Sequence, residues 1–143
     1  MSATVDAGVL AYASDEADPA HARARALIER LAAGPDPVYL FWTALIGYLR
    51  IVTHASVLPR PLPPGAALAN VSALLSLAHV RAPGEGDGLC EGYRTTAGDH
   101  VRGNLASGAH IAALMRQHGV TTIYTRGRDY RRFDGIRAED PFA

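Results

Sequence analysis

With 143 residues, 48% of them hydrophobic and 20% charged, the chain is long enough to bury a core and is expected to form a single domain over residues 1–143. Its 14 Lys and Arg offset 14 Asp and Glu, which excludes an overall basic field and leaves any polyanion to a local patch. The lone cysteine, Cys90, excludes an internal disulfide, no apolar run approaches the roughly 18 residues of a membrane span, and Met1 to Asp6 lacks a basic-then-apolar leader. The expected setting is the reducing cytoplasm, away from membranes.

Ala3 to Val5 is a short β run ending at Asp6, and a helix follows it with Val9, Leu10 and Tyr12 as apolar contacts. Ser14 to Pro19 is a polar break in which Asp18 suits a helix cap and Pro19 a first helical position. Ala22, Ala24, Ala26, Leu27, Ile28 and Leu31 then predict an amphipathic helix closed by Gly34. Val38 to Phe41 reads as the second strand, and Trp42 at its end is expected to pack on the first helix or on a dimer partner. Thr43 is placed to cap a helix from Ala44 to Thr53, and Pro59, Pro61, Pro63 and Pro64 make 55–65 an extended connection. A helix over Ala66 to Leu77, a strand over Val80 to Ala82, a loop over Pro83 to Gly88 and a weaker helix over Leu89 to Thr96 follow. Ser107 is the expected cap of a helix bearing Ile111, Ala112, Leu114 and Met115 that ends at His118 and Gly119. Val120 to Tyr124 is a β-branched strand, and Ile136 to Ala138 an expected edge strand.

Short strands alternating with helices argue for a parallel sheet covered on both faces. Ligands in such sheets gather at the carboxyl ends of the strands. That singles out Asp6 and the segment Thr125 to Asp129, with the start of the Ser107 helix facing the same crevice.

Four segments in this order carry a resemblance: Val5 to Ala13, Gly47 to His54, Arg102 to Leu114 and Ile123 to Phe133. Together they resemble the PIN-domain ribonucleases of the VapC type. The resemblance implies a three-layer α/β/α PIN-like domain with a central parallel sheet, a homodimer, and an antitoxin peptide laid across the groove. It also implies RNA cleavage assisted by Mg²⁺ or Mn²⁺ ions that several carboxylates hold. Of that acidic set Asp6 is present. Gly8 stands at the usual Asn, Gly47 at the usual Glu, and Gly108 and Gly127 at two usual Asp positions. Asp129 lies two residues beyond the last of these. Asp6 and Asp129 would hold one ion weakly at most, so ordinary nuclease activity is expected to be lost.

Glycines in place of carboxylates enlarge the crevice, each by roughly one or two water volumes. A small anionic ligand, phosphate or carboxylate, is expected at the Ser107 helix start, reinforced by Arg50, Arg102, Arg126 and Arg128. Candidates for chemistry are Asp6, Asp129 and His110, with Gly8, Gly47, Ser107, Gly108, Thr125, Arg126 and Gly127 lining the groove. Against this, Asp129 is equally suited to pair with Arg131 or Arg132, and His110 reads first as a packed helix residue. His54 at a helix end suits the helix dipole. Cys90 reads as a small core hydrophobe. Three functions compete: an RNA-cleaving toxin, a non-catalytic PIN fold that binds RNA, antitoxin or its own copy, and a crevice recruited for small-molecule chemistry. The last would add Tyr93, Cys90 and Tyr124 as acid–base candidates. Glu85, Asp87 and Glu91 are the remaining carboxylates that could form a substitute acidic set.

Overall fold

Every strand is two or three residues long, so the sheet is built from minimal β runs that the helices hold in place. The computed structural model describes residues 1–143. In chain order the elements are β1 (Ala3–Val5), α1 (Ala7–Tyr12), α2 (His21–Ala33), β2 (Val38–Tyr39), α3 (Trp42–Val52), α4 (Pro64–Leu75) and β3 (Val80–Arg81). α5 (Leu89–Ala97), α6 (Leu105–Gln117), β4 (Thr122–Tyr124), a 3₁₀ turn (Arg128–Arg132) and β5 (Arg137–Glu139) complete the chain.

The sheet runs β3-β2-β1-β4-β5, all parallel. Ala3 is in register with Val38 on one side and Thr122 on the other. On one face Val5, Val9, Leu10, Leu27, Leu45 and Val52 form a core beneath α1 to α4. On the other, Phe41, Ala112, Leu114, Met115 and Ile123 pack under α5 and α6. The architecture is a three-layer α/β/α fold around a parallel sheet, as crossover helices on both faces require. The strand order reverses at β1, because β2 lies to one side of it and β4 to the other. Such a reversal opens a crevice at the carboxyl ends of the two diverging strands.

Three helix starts differ from the sequence expectation. α2 begins after Ala20, and Asp18 instead accepts the Ala20 N–H at 2.8 Å, closing the turn that precedes the helix. α3 begins at Trp42 after an extended Phe41, which places Thr43 inside its first turn. α6 begins at Leu105, two residues ahead of Ser107. Gly103, at φ +57°, turns the chain into that helix. The Ser107 hydroxyl donates back to the Asn104 carbonyl at 3.2 Å, the usual local bond of a serine inside a helical turn. Cys90 is exposed on α5 rather than packed in the core.

Candidate functional site

The crevice at the strand reversal measures about 560 Å³ and is lined by Asp6, Thr43, Gly47, Arg50, Ser107 and Tyr130 among others. β1 delivers Asp6 at its carboxyl end, where the chain turns into α1. One carboxylate oxygen accepts the Val9 N–H at 3.0 Å and so caps α1. The other accepts the hydroxyl of Thr125, which β4 delivers from the neighbouring strand end. Thr125 is buried, and its oxygen accepts the Gly127 N–H at 2.9 Å. Gly127, Thr125 and Asp6 thus form one relay of hydrogen bonds, and both Asp6 oxygens are engaged by protein donors. Burial pushes the Asp6 carboxyl above its ordinary pKa, with the Thr125 hydroxyl and the Val9 N–H offsetting part of the rise.

Tyr130 is the residue that sequence reasoning missed. It lies in the 3₁₀ turn, is 7% exposed, and opens onto the crevice. Burial first, and then the negative charges of Asp6 and Asp129, hold its phenol above the ordinary range. Its ring also stands edge-on to Phe133 with centroids 6.4 Å apart. An aromatic residue three before another apolar one signals core packing, and here that signal masked a polar group at the crevice wall.

The four glycines are not equivalent. A Cβ at Gly8 would lie 3.5 Å from an Asp6 oxygen, and one at Gly108 3.8 Å from Tyr130 Cζ; both are ordinary contacts. At Gly127 it would lie 3.3 Å from the Thr125 hydroxyl oxygen, which is tight. At Gly47 it would lie 2.9 Å from Ala7 Cβ, closer than two carbon atoms can stay without movement of α1 or α3.

Several expected residues stand elsewhere. Of the expected wall, Gly8, Gly47 and Ser107 line the crevice, whereas Gly108, Thr125, Gly127 and Asp129 do not; the exposed Asp129 carboxylate lies 3.7 Å from Arg132. His110 bonds Glu85 at 3.0 Å, where it ties the loop before α5 to α6. Arg126 packs between the Tyr12 and Phe142 rings, 5.5 and 5.0 Å from their centroids. Tyr124 sits under Arg30, and Tyr93 packs against the α6 core. Glu91 pairs with Arg94 and Glu85 with His110, so Glu85, Asp87 and Glu91 do not form an acidic set.

The family's divalent metals therefore meet a poor donor set. Nowhere do three His, Cys, Asp or Glu side chains come together in a way that could hold an ion. The one crevice carboxyl already accepts a hydrogen bond at each oxygen and is disfavoured as an anion by burial, and Arg50 adds a positive charge to the same wall. Mg²⁺ dehydrates only for well-placed anionic oxygens, and these residues do not supply them.

The PIN domain pattern matches residues 3–136. Ribonuclease VapC48 of Mycobacterium tuberculosis is 48% identical over 145 aligned positions that cover 100% of this chain and 99% of that protein. Among solved structures, the M. tuberculosis Sarcin-Ricin loop cleaving toxin VapC20 superposes with a TM-score of 0.67 at 21% identity, covering 94% of this chain and 98% of that one. VapBC2 from Rickettsia felis, bound to a DNA fragment from its promoter, gives 0.68 at 13% identity, with 97% and 98% covered. A match across nearly the whole chain, joined to a parallel sheet that reverses at Asp6, places this protein in the PIN-domain family as a VapC-type member.

Proposed function

We propose that this protein keeps the VapC fold and its partnership with an antitoxin peptide but has lost ordinary metal-dependent RNA cleavage. One observation carries the reading: Asp6 is the sole carboxylate of the crevice, and both its oxygens are already bonded by Val9 and Thr125. A two-metal clamp needs several free anionic oxygens to neutralise its ions, and glycine at positions 8, 47, 108 and 127 provides none. The solved VapBC complex among the structural relatives supports an antitoxin partner. Trp42 and Ile46, 44% and 56% exposed one turn apart on α3, support a second copy as a further partner. We place the protein in the cytoplasm, where an exposed free thiol at Cys90 is stable.

The test is cleavage of structured RNA by the full chain with Mg²⁺ or Mn²⁺. Parent and Asp6→Ala should be equally inactive. Metal-stimulated cleavage that disappears in Asp6→Ala would overturn the reading. It would establish the second reading, a working ribonuclease, which the 48% identity to a protein named as one favours. A third, small-molecule chemistry in the vacated crevice, is favoured by the crevice volume of about 560 Å³.

A further inference from the structure

What remains in the crevice once carboxylates are gone is a set of hydrogen-bond donors. Tyr130 is 7% exposed, lines the crevice, and its hydroxyl makes no hydrogen bond to another protein group. A phenol ionises only near pH 10, so at neutral pH it offers an O–H. At the start of α6 the N–H groups of Leu105 and Ala106 go to the carbonyls of Arg102 and Gly103 at 3.2 and 3.0 Å. That of Ser107 has no backbone acceptor, and Ser107 forms part of the wall. Arg50, from α3, lines the same space and forms no ion pair. The one carboxylate, Asp6, already accepts a hydrogen bond at each oxygen.

We propose that the crevice is a metal-free phosphate site, in which Tyr130, Arg50 and the Ser107 N–H at the start of α6 hold the phosphate of a nucleotide. The inference rests on the reading that no divalent ion operates there. Three kinds of donor line one space with no protein acceptor bonded to them, and a phosphate supplies acceptors for all three. Size argues for more than the bare ion. About 560 Å³ falls in the range of small-molecule sites, and Ala7, Ala44, Ile46 and Ile111 give the sugar and base an apolar surface. Gly108 belongs to the same design. Its missing side chain leaves the Tyr130 Cζ, 3.8 Å from where a Cβ would stand, unopposed by a carboxylate.

The experiment is calorimetric titration of the full chain in EDTA with 5′-AMP, inorganic phosphate, adenosine and acetate. AMP should bind best, phosphate about tenfold more weakly, and adenosine and acetate not measurably, which separates a nucleotide from the free ion as the source of the phosphate. Tyr130→Phe and Arg50→Gln should each weaken AMP by about tenfold, the worth of one hydrogen bond to a charged group. Gly108→Asp should abolish binding while its thermal midpoint confirms an intact fold. Three results would overturn the proposal: no AMP binding in EDTA, binding that requires Mg²⁺, or Tyr130→Phe and Arg50→Gln both matching the parent. Acetate binding as well as phosphate would overturn the phosphate assignment. Failure here leaves the absence of metal-dependent cleavage standing, whereas Mn²⁺-driven cleavage of RNA strikes that earlier reading directly, so the two failures are distinguishable.

Discussion

On α3 and α6, the two helices beside the crevice, glycine stands where the family resemblance implies an acid, yet the two positions are physically unlike. On α3 the space is closed: a Cβ at Gly47 would meet Ala7 Cβ at 2.9 Å, because α1 and α3 touch there. On α6 the space is open: a Cβ at Gly108 would find Tyr130 at 3.8 Å, an ordinary contact. A missing side chain is therefore not the same as a vacancy. One wall has sealed and would resist a returning carboxylate; the other would accept it and change only the charge.

The largest effect that tests this contrast is Gly47→Glu, which forces α1 from α3. Overpacking of this kind destabilises by about 3 kcal/mol, read as a lower urea midpoint. Gly47→Ala sharpens the point, since the gain of about 1 kcal/mol that alanine normally brings to a helix interior should be absent. A Gly47→Glu chain as stable as the parent would show that the α3 wall is open after all.

Asp6 joins the two walls, and Asp6→Ala should destabilise by about 1 kcal/mol through loss of the α1 cap and the Thr125 bond. Its pH dependence has a definite sign. The folded pKa lies above the ordinary value of 3.8, so the fold holds the Asp6 proton more tightly than the unfolded chain does. That contribution is fully present below 3.8 and is lost as pH rises through the folded value. The stability of the parent relative to Asp6→Asn should fall as pH rises above 3.8 in paired urea titrations. A constant difference would contradict the burial of this carboxyl.

A calibration away from both walls is Thr4, whose side-chain hydroxyl is fully buried without a hydrogen-bond partner. Thr4→Val keeps the shape, removes the orphaned hydroxyl, and should stabilise by about 1 kcal/mol. The smallest effect belongs to Gly108→Asp, which should stay within about 0.5 kcal/mol of the parent. It should also fail to raise Mg²⁺ affinity by calorimetry, because glycine still stands at 47 and 127 and burial disfavours the Asp6 anion. Tight Mg²⁺ binding by this single variant would mean that the α6 wall was the whole of the defect.

The sheet and the position of Asp6 were legible because both rest on local pattern: a β-branched run, then an acid that can cap. The strand limits contracted, β2 ending at Tyr39 rather than Phe41, because Phe41 belongs to the buried approach to α3. The caps misled. Asp18, Thr43 and Ser107 are good capping types, but in each case neighbouring backbone had settled the helix start first. Asp129 and Arg126 were drawn from the crevice by partners that sequence order does not reveal, Arg132 for one and the Tyr12 and Phe142 rings for the other. The closed state of Gly47 was not legible at all. It depends on the distance between two helices, and no residue type encodes that.

β1 lies at the middle of the sheet, yet it is synthesised before every other strand. Its second edge stays unpaired until Thr122–Tyr124 has been synthesised, after β2, β3 and the helices between them. A nascent chain therefore carries an open strand edge until β4 emerges, the kind of edge that invites mispairing and proteolysis. The stretch that finally covers it also brings Thr125 to Asp6. Completion of the sheet and assembly of the crevice thus coincide, and products truncated before β4 possess neither.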